Sequence, residues 1–90
     1  MTHYIALVHK DEGSAYGVTF PDLPGCFSAA DDERDLLPNA IEAIELWAED
    51  QQLPVPSPIE TLRARADVAG ELRDGAFLLA VPSNAVLSAA

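Results

Sequence analysis

Residues 16–47 read YGVTFPDLPGCFSAADDERDLLPNAIEAIELW, and a change of period inside this stretch decides the fold class. From Ala15 to Phe20 the side chains alternate. Tyr16, Val18 and Phe20 fall on one side and Gly17 and Thr19 on the other, the pattern of a half-buried strand. Pro21 has no N–H for a ladder and ends it. Pro24-Gly25 suits the central positions of a type II turn, where proline presets the first φ and glycine supplies the positive one. Cys26 to Ala30 is short and strand-like. The period then becomes helical: Leu36, Ala40, Ala43, Ile44 and Trp47 share one stripe, with Glu42, Glu45 and Glu49 opposite. Asp32 with Asp35 reads as a capping pair, and the acidic first turn complements the helix dipole. Pro38 conflicts with a helix interior, where it costs about 3 kcal/mol. Either the helix is kinked there or it begins near Leu36, with Pro38 in its first turn; the later start is preferred.

Working outward, His3 to Lys10 (HYIALVHK) is apolar on both alternating faces, as in a strand at the middle of a sheet. Asp11 to Ser14 is a polar hairpin loop, so the first three strands form an antiparallel meander. On the other side, Leu53 to Pro58 (LPVPSP) is a connector that ends the helix. Ser57-Pro58-Ile59-Glu60 has the pattern of an N-cap, a first-turn proline and a Glu three residues after the cap, predicting a short helix from Pro58. Arg63 to Asp74 reads as a loop with a helical turn. Ala76 to Val81 (AFLLAV) reads as a buried strand stopped by Pro82, and the few residues that follow are too few for another module. The order β-β-β-α-(short α)-β defines an α+β, two-layer single domain spanning 1–90. The long connection permits a parallel last strand, placed beside the first.

The composition narrows the function. The chain has 90 residues and a formal charge of −10, with 15 acidic residues against 5 basic ones. Such a balance opposes binding to a phosphate backbone, where affinity comes from Lys and Arg displacing counterions, and favours a basic protein partner. A chain of this size buries only about 60–65% of its unfolded surface, which leaves a role for a partner or a second copy in its stability. A single cysteine, no secretory leader pattern and no apolar run of the roughly 18 residues needed to span a bilayer lead to the expectation of a cytoplasmic protein with no membrane association.

No catalytic or metal-binding constellation emerges from the residues. Asp31, Asp32, Glu33 and Asp35 lack the spacing of a calcium loop and read as capping plus a solvated face. The central strand carries no Asp or Glu, whereas two-metal nucleases hold carboxylates on adjacent strands. His3 and His9 share a strand face too far apart to ligate one metal together. Cys26 has no partner cysteine or adjacent base and reads as a buried small residue. Ser14, Ser28 and Ser57 lack a nucleophile-elbow context. Arg63, Arg65 and Arg73 read as surface ion-pair partners. Tyr16, Phe20, Phe27 and Trp47 are expected to pack in the core rather than to stack on bases. The expectation is a binding module with no enzymatic activity and no cofactor.

The segment Tyr16 to Trp47, with its FPDLPGC turn, small-residue strand, acidic cap and Ala-rich acidic helix, resembles the HicB-like antitoxin family, ungapped across those elements. The resemblance implies a partial ribonuclease-H-like fold, β-β-β-α-β, without the activity of that fold, since the strand carboxylates are missing. It implies an antitoxin that binds and neutralises a small basic mRNA-cleaving toxin, HicA, assembles as a dimer or tetramer, and in many relatives also represses its own operator. The alternative is a stand-alone structural or regulatory adaptor of the same fold. The chain departs from the family at Pro38, and no helix-turn-helix or ribbon-helix-helix module follows the last strand, so no direct DNA binding is expected from this polypeptide. The candidate partner-binding residues are Phe20, Asp22, Leu23, Pro24 and Gly25, for which a purely fold-specific turn is the equal alternative. Glu42, Glu45 and Glu49 are candidates against an ordinary solvated helix face.

Overall fold

In the computed structural model, which describes residues 2–83, four strands and three helices follow one another in the chain. Strand β1 spans Thr2–Lys10, β2 Tyr16–Thr19 and β3 Phe27–Ala30; helix α1 spans Leu36–Ala48, α2 Ile59–Ala64 and α3 Ala66–Arg73; β4 spans Phe77–Ser83. The expectation that nothing folded follows the last strand falls on residues 84–90, outside those described.

The sheet order is β3-β2-β1-β4, and every pairing is antiparallel. The continuous apolar character of β1 follows from its place between β2 and β4. The last strand does sit beside the first, but not parallel to it: Thr2 pairs with Ser83 and Val8 with Phe77. The segment read as a loop with a helical turn, Arg63 to Asp74, leads into the strand. It contains α3, which ends in a Schellman motif. The Ala76 N–H donates to the Glu71 carbonyl and the Gly75 N–H to that of Leu72, with Gly75 at φ 103°. The chain therefore enters β4 beside Val8 and runs back along β1.

Two further corrections concern β4. It is an edge strand rather than a doubly buried one, with Phe77 and Ala80 exposed. It also continues through Pro82, which pairs in register with His3. An edge strand tolerates proline because a missing outward N–H breaks no ladder bond.

Helix α1 starts at Leu36 as preferred, after a single 3-10 turn at Glu33–Asp35. Pro38 is thus the third helical residue, where a backbone N–H would lack an intrahelical partner anyway. The cap belongs to the 3-10 turn: the Arg34 N–H donates to Asp32 Oδ1 at 2.9 Å, and Asp35 makes no side-chain cap. Leu36, Ala40 and Ile44 form the buried stripe of α1. They pack on Tyr4, Ala6 and Val8 of β1, Val18, Ala30 and Val81 in the main core. On the opposite sheet face, Leu7 is also buried and shares a depression with Val68 of α3. The short α2–α3 pair thus gives that face partial cover.

Candidate partner-binding surface

Phe20 to Cys26 forms the predicted type II turn: the Cys26 N–H donates to the Leu23 carbonyl at 3.0 Å and Gly25 has φ 85°. Phe20 and Leu23 are buried in the core, whereas Pro24 and Gly25 are exposed. Distant segments are tied to this turn. Ser57 donates its N–H to Asp22 Oδ2 at 2.8 Å and its hydroxyl to Asp22 Oδ1 at 2.7 Å. Trp47 Nε1 donates to the Pro24 carbonyl at 3.0 Å, and Arg65 Nη1 to that of Pro21 at 3.2 Å. The turn therefore clamps α1, the proline connector and the α2–α3 junction to the sheet. Ser57 does not cap α2 as the sequence pattern predicts, since its hydroxyl is engaged by Asp22 and the cap position is Pro58.

Tyr4 is fully buried and donates its hydroxyl to the Pro54 carbonyl at 2.6 Å. Burial, and secondarily the Asp22 carboxylate, raise its pKa. Cys26 is buried, with its thiol directed at the Ala43 carbonyl at 3.5 Å, and burial pushes its pKa up to about 11. An unfolded thiol ionises near pH ~8.5. Between that pH and about 11 the unfolded chain binds fewer protons than the folded one, so stability falls as pH rises through this window. Denaturant titrations at pH 7, 9 and 10.5 are expected to show the decline, and Cys26→Ser to reduce its slope. Native Cys26 is likewise expected to alkylate at pH 8 at least tenfold more slowly than in denaturant.

Glu42, Glu45 and Glu49 are all exposed on one side of α1. Among the described residues the ion pairs are Arg34–Asp32 and Arg65–Asp67, so neither involves these three carboxylates. Glu42 and Glu45 lie at i, i+3 and Glu45 and Glu49 at i, i+4, where like charges repel, and Glu45 and Glu49 stand at the C-terminal end of the helix, whose dipole disfavours them. The last turn of α1 holds no basic residue.

The sequence reading missed two exposed apolar side chains beside them. Phe27, expected to pack, is 68% exposed on edge strand β3, and Leu46 of α1 is 58% exposed. Both line a shallow depression with Glu42 and Asn39. The signal for Leu46 was available, since it lies off the stripe of Leu36, Ala40 and Ile44. For Phe27 it was not, because strand alternation does not reveal that a strand lies at an edge with one face uncovered.

A second depression, about 400 Å³, lies between the turn, Leu7, His9, Thr19 and Phe27 of the sheet, and Arg65, Val68 and Glu71. Arg65 is held there by Asp67 through bonds of 3.1 and 2.7 Å, which lower the Asp67 pKa and raise that of Arg65. His9 lies over Gly17, where a Cβ would stand 2.9 Å from its Nε2, and His3 pairs with Pro82 at the other end of β1. Among the described residues, no three His, Cys, Asp or Glu side chains are placed to hold a metal ion. No helix among them is long and apolar enough to cross a membrane.

This architecture is that of a small α+β domain with a four-stranded antiparallel sheet. Residues 4–80 match the family described as the HicB_like antitoxin of bacterial toxin-antitoxin systems, and the chain belongs to that family. A 14.9 kDa protein of the rep-hol intergenic region of Haemophilus phage HP1 is 46% identical over 65 residues, covering 67% of this chain and 47% of that protein. The antitoxin HicB of Burkholderia pseudomallei superposes with a TM-score of 0.71 at 36% identity, covering 91% of this chain and 63% of its own. One chain of a HicA3 and HicB3 toxin-antitoxin complex superposes with a TM-score of 0.70 at 26% identity, covering 93% of this chain and 100% of that one. The chain thus spans about half of the phage relative and under two thirds of the Burkholderia antitoxin.

Proposed function

We propose that this chain is an antitoxin that binds a HicA-type toxin and neutralises it by covering it, with no bond-making of its own. The observation that carries the reading is membership of the HicB-like family over residues 4–80, supported by likeness to a chain of a HicA3 and HicB3 complex. The charge of −10 suits a cationic partner, drawing it in by long-range attraction while apolar contacts set the lifetime of the complex. The same charge opposes direct DNA binding by this domain. The reading includes a cytoplasmic site of action and self-association as a dimer or tetramer.

Of the candidate contacts, Glu42, Glu45, Glu49, Pro24 and Gly25 are accessible to a toxin. Phe20, Asp22 and Leu23 support the surface from within. The test is co-expression with a HicA-type toxin, taken from any short basic reading frame adjacent to the gene. Growth arrest by the toxin alone is expected to be relieved, and a complex that weakens with salt is expected to co-purify. Arrest that persists in the presence of soluble, folded chain contradicts the function.

A further inference from the structure

We infer that the toxin docks on the outer edge of β3 and α1, with Phe27 and Leu46 as its apolar centre and Glu42, Glu45 and Glu49 as its rim. The inference rests on the antitoxin reading and adds the location and chemistry of the contact. Two independent observations converge there. Phe27 and Leu46, 68% and 58% exposed, line one depression, and aromatic side chains such as Phe27 are enriched in the apolar core of interfaces, which Leu46 extends. Glu42 and Glu49 flank Leu46 at i−4 and i+3, Glu45 precedes it directly, and none of the three has an ion-pair partner among the described residues, although the 42/45 and 45/49 spacings and the place of Glu45 and Glu49 at the helix C-terminus disfavour clustered negative charge. Arg or Lys side chains of a cationic protein satisfy both features at once, with stems packed over Leu46 and Phe27 and head groups on the glutamates. Asn39 Nδ2 donates to the Ala29 carbonyl at 2.9 Å, which occupies one backbone acceptor of β3. Side-chain contact is thereby favoured over addition of a strand at that point.

The experiment measures binding of the full chain to the HicA-type toxin used in that co-expression test, inactivated at its catalytic residue, as a function of salt. Phe27→Ser and Leu46→Ser are each expected to raise Kd at least tenfold with unchanged thermal stability. The triple change Glu42→Gln, Glu45→Gln, Glu49→Gln is expected to slow association about tenfold and to flatten its salt dependence. Phe77→Ser, on the opposite edge strand, is expected to leave Kd within twofold. Wild-type binding that survives the Phe27, Leu46 and triple-glutamate changes overturns the docking surface while leaving the antitoxin function intact. Failure of the wild-type chain to bind removes both.

Discussion

Leu23→Ala is expected to lower the folding free energy by about 3–4 kcal/mol, in the range of buried leucine truncations. In a domain of this size that corresponds to a fall in melting temperature of roughly 15–25 °C. Leu23 sits in a surface turn between Pro21 and Gly25, where sequence intuition allows substitution, yet it is fully buried. It belongs to the core cluster that includes Phe20, Cys26, Ile44 and Leu53. Truncation leaves a cavity beneath the joint of sheet, helix and connector, and the type II geometry above it restricts collapse. Chemical denaturation of the two proteins checks the prediction. A loss under about 1 kcal/mol would show that Leu23 packs far less tightly than its burial indicates.

Asp22→Ala is expected to cost about 2–4 kcal/mol, because hydrogen bonds to a charged group contribute about 1.5–3 kcal/mol each and the Ser57 N–H is left without its acceptor. Asp22→Asn should fall between wild type and Asp22→Ala: the amide oxygen still accepts from the Ser57 N–H and the amide nitrogen can donate to the Ser57 hydroxyl, but the charge that strengthens both bonds is lost. A spectroscopic readout accompanies the loss. The Asp22 charge contributes, after burial, to the raised Tyr4 pKa, so Asp22→Ala should shift the alkaline ionisation of Tyr4 downward. Destabilisation without that shift would separate the loop tether from the electrostatic contact.

Both variants address the turn that the sequence reading treated equally as contact segment and as fold device. Its geometry was legible, because Pro24-Gly25 admits few other turns and Gly25 takes the positive φ that the motif demands. Its tethers were not, since a bond from Ser57 to Asp22 joins segments 35 residues apart and leaves no mark in periodicity or spacing. The start of α1 at Leu36 was also legible, because Pro38 fits the first turn at no cost whereas an interior position requires a kink. What failed was the direction of β4. Val68 and Leu72 at i, i+4, Arg73 in a last turn and Gly75 beyond it make a readable helix ending, but the helix is short and Arg65 breaks it from α2 with extended backbone. With Arg63 to Asp74 read as a loop with a helical turn, periodicity left open the end of the sheet at which β4 begins. The acidic face of α1 was read from its period alone, while the apolar side chains beside it emerged only once β3 was seen to lie at an edge.

Titration of the chain into a toxin-catalysed RNA cleavage reaction tests neutralisation by physical cover most directly. Cleavage is expected to fall in proportion to added chain and to stop at a fixed stoichiometric ratio, with no RNA consumed by the chain alone. Cleavage that continues once all the toxin is bound, or RNA turnover by the purified chain without toxin, would contradict the account.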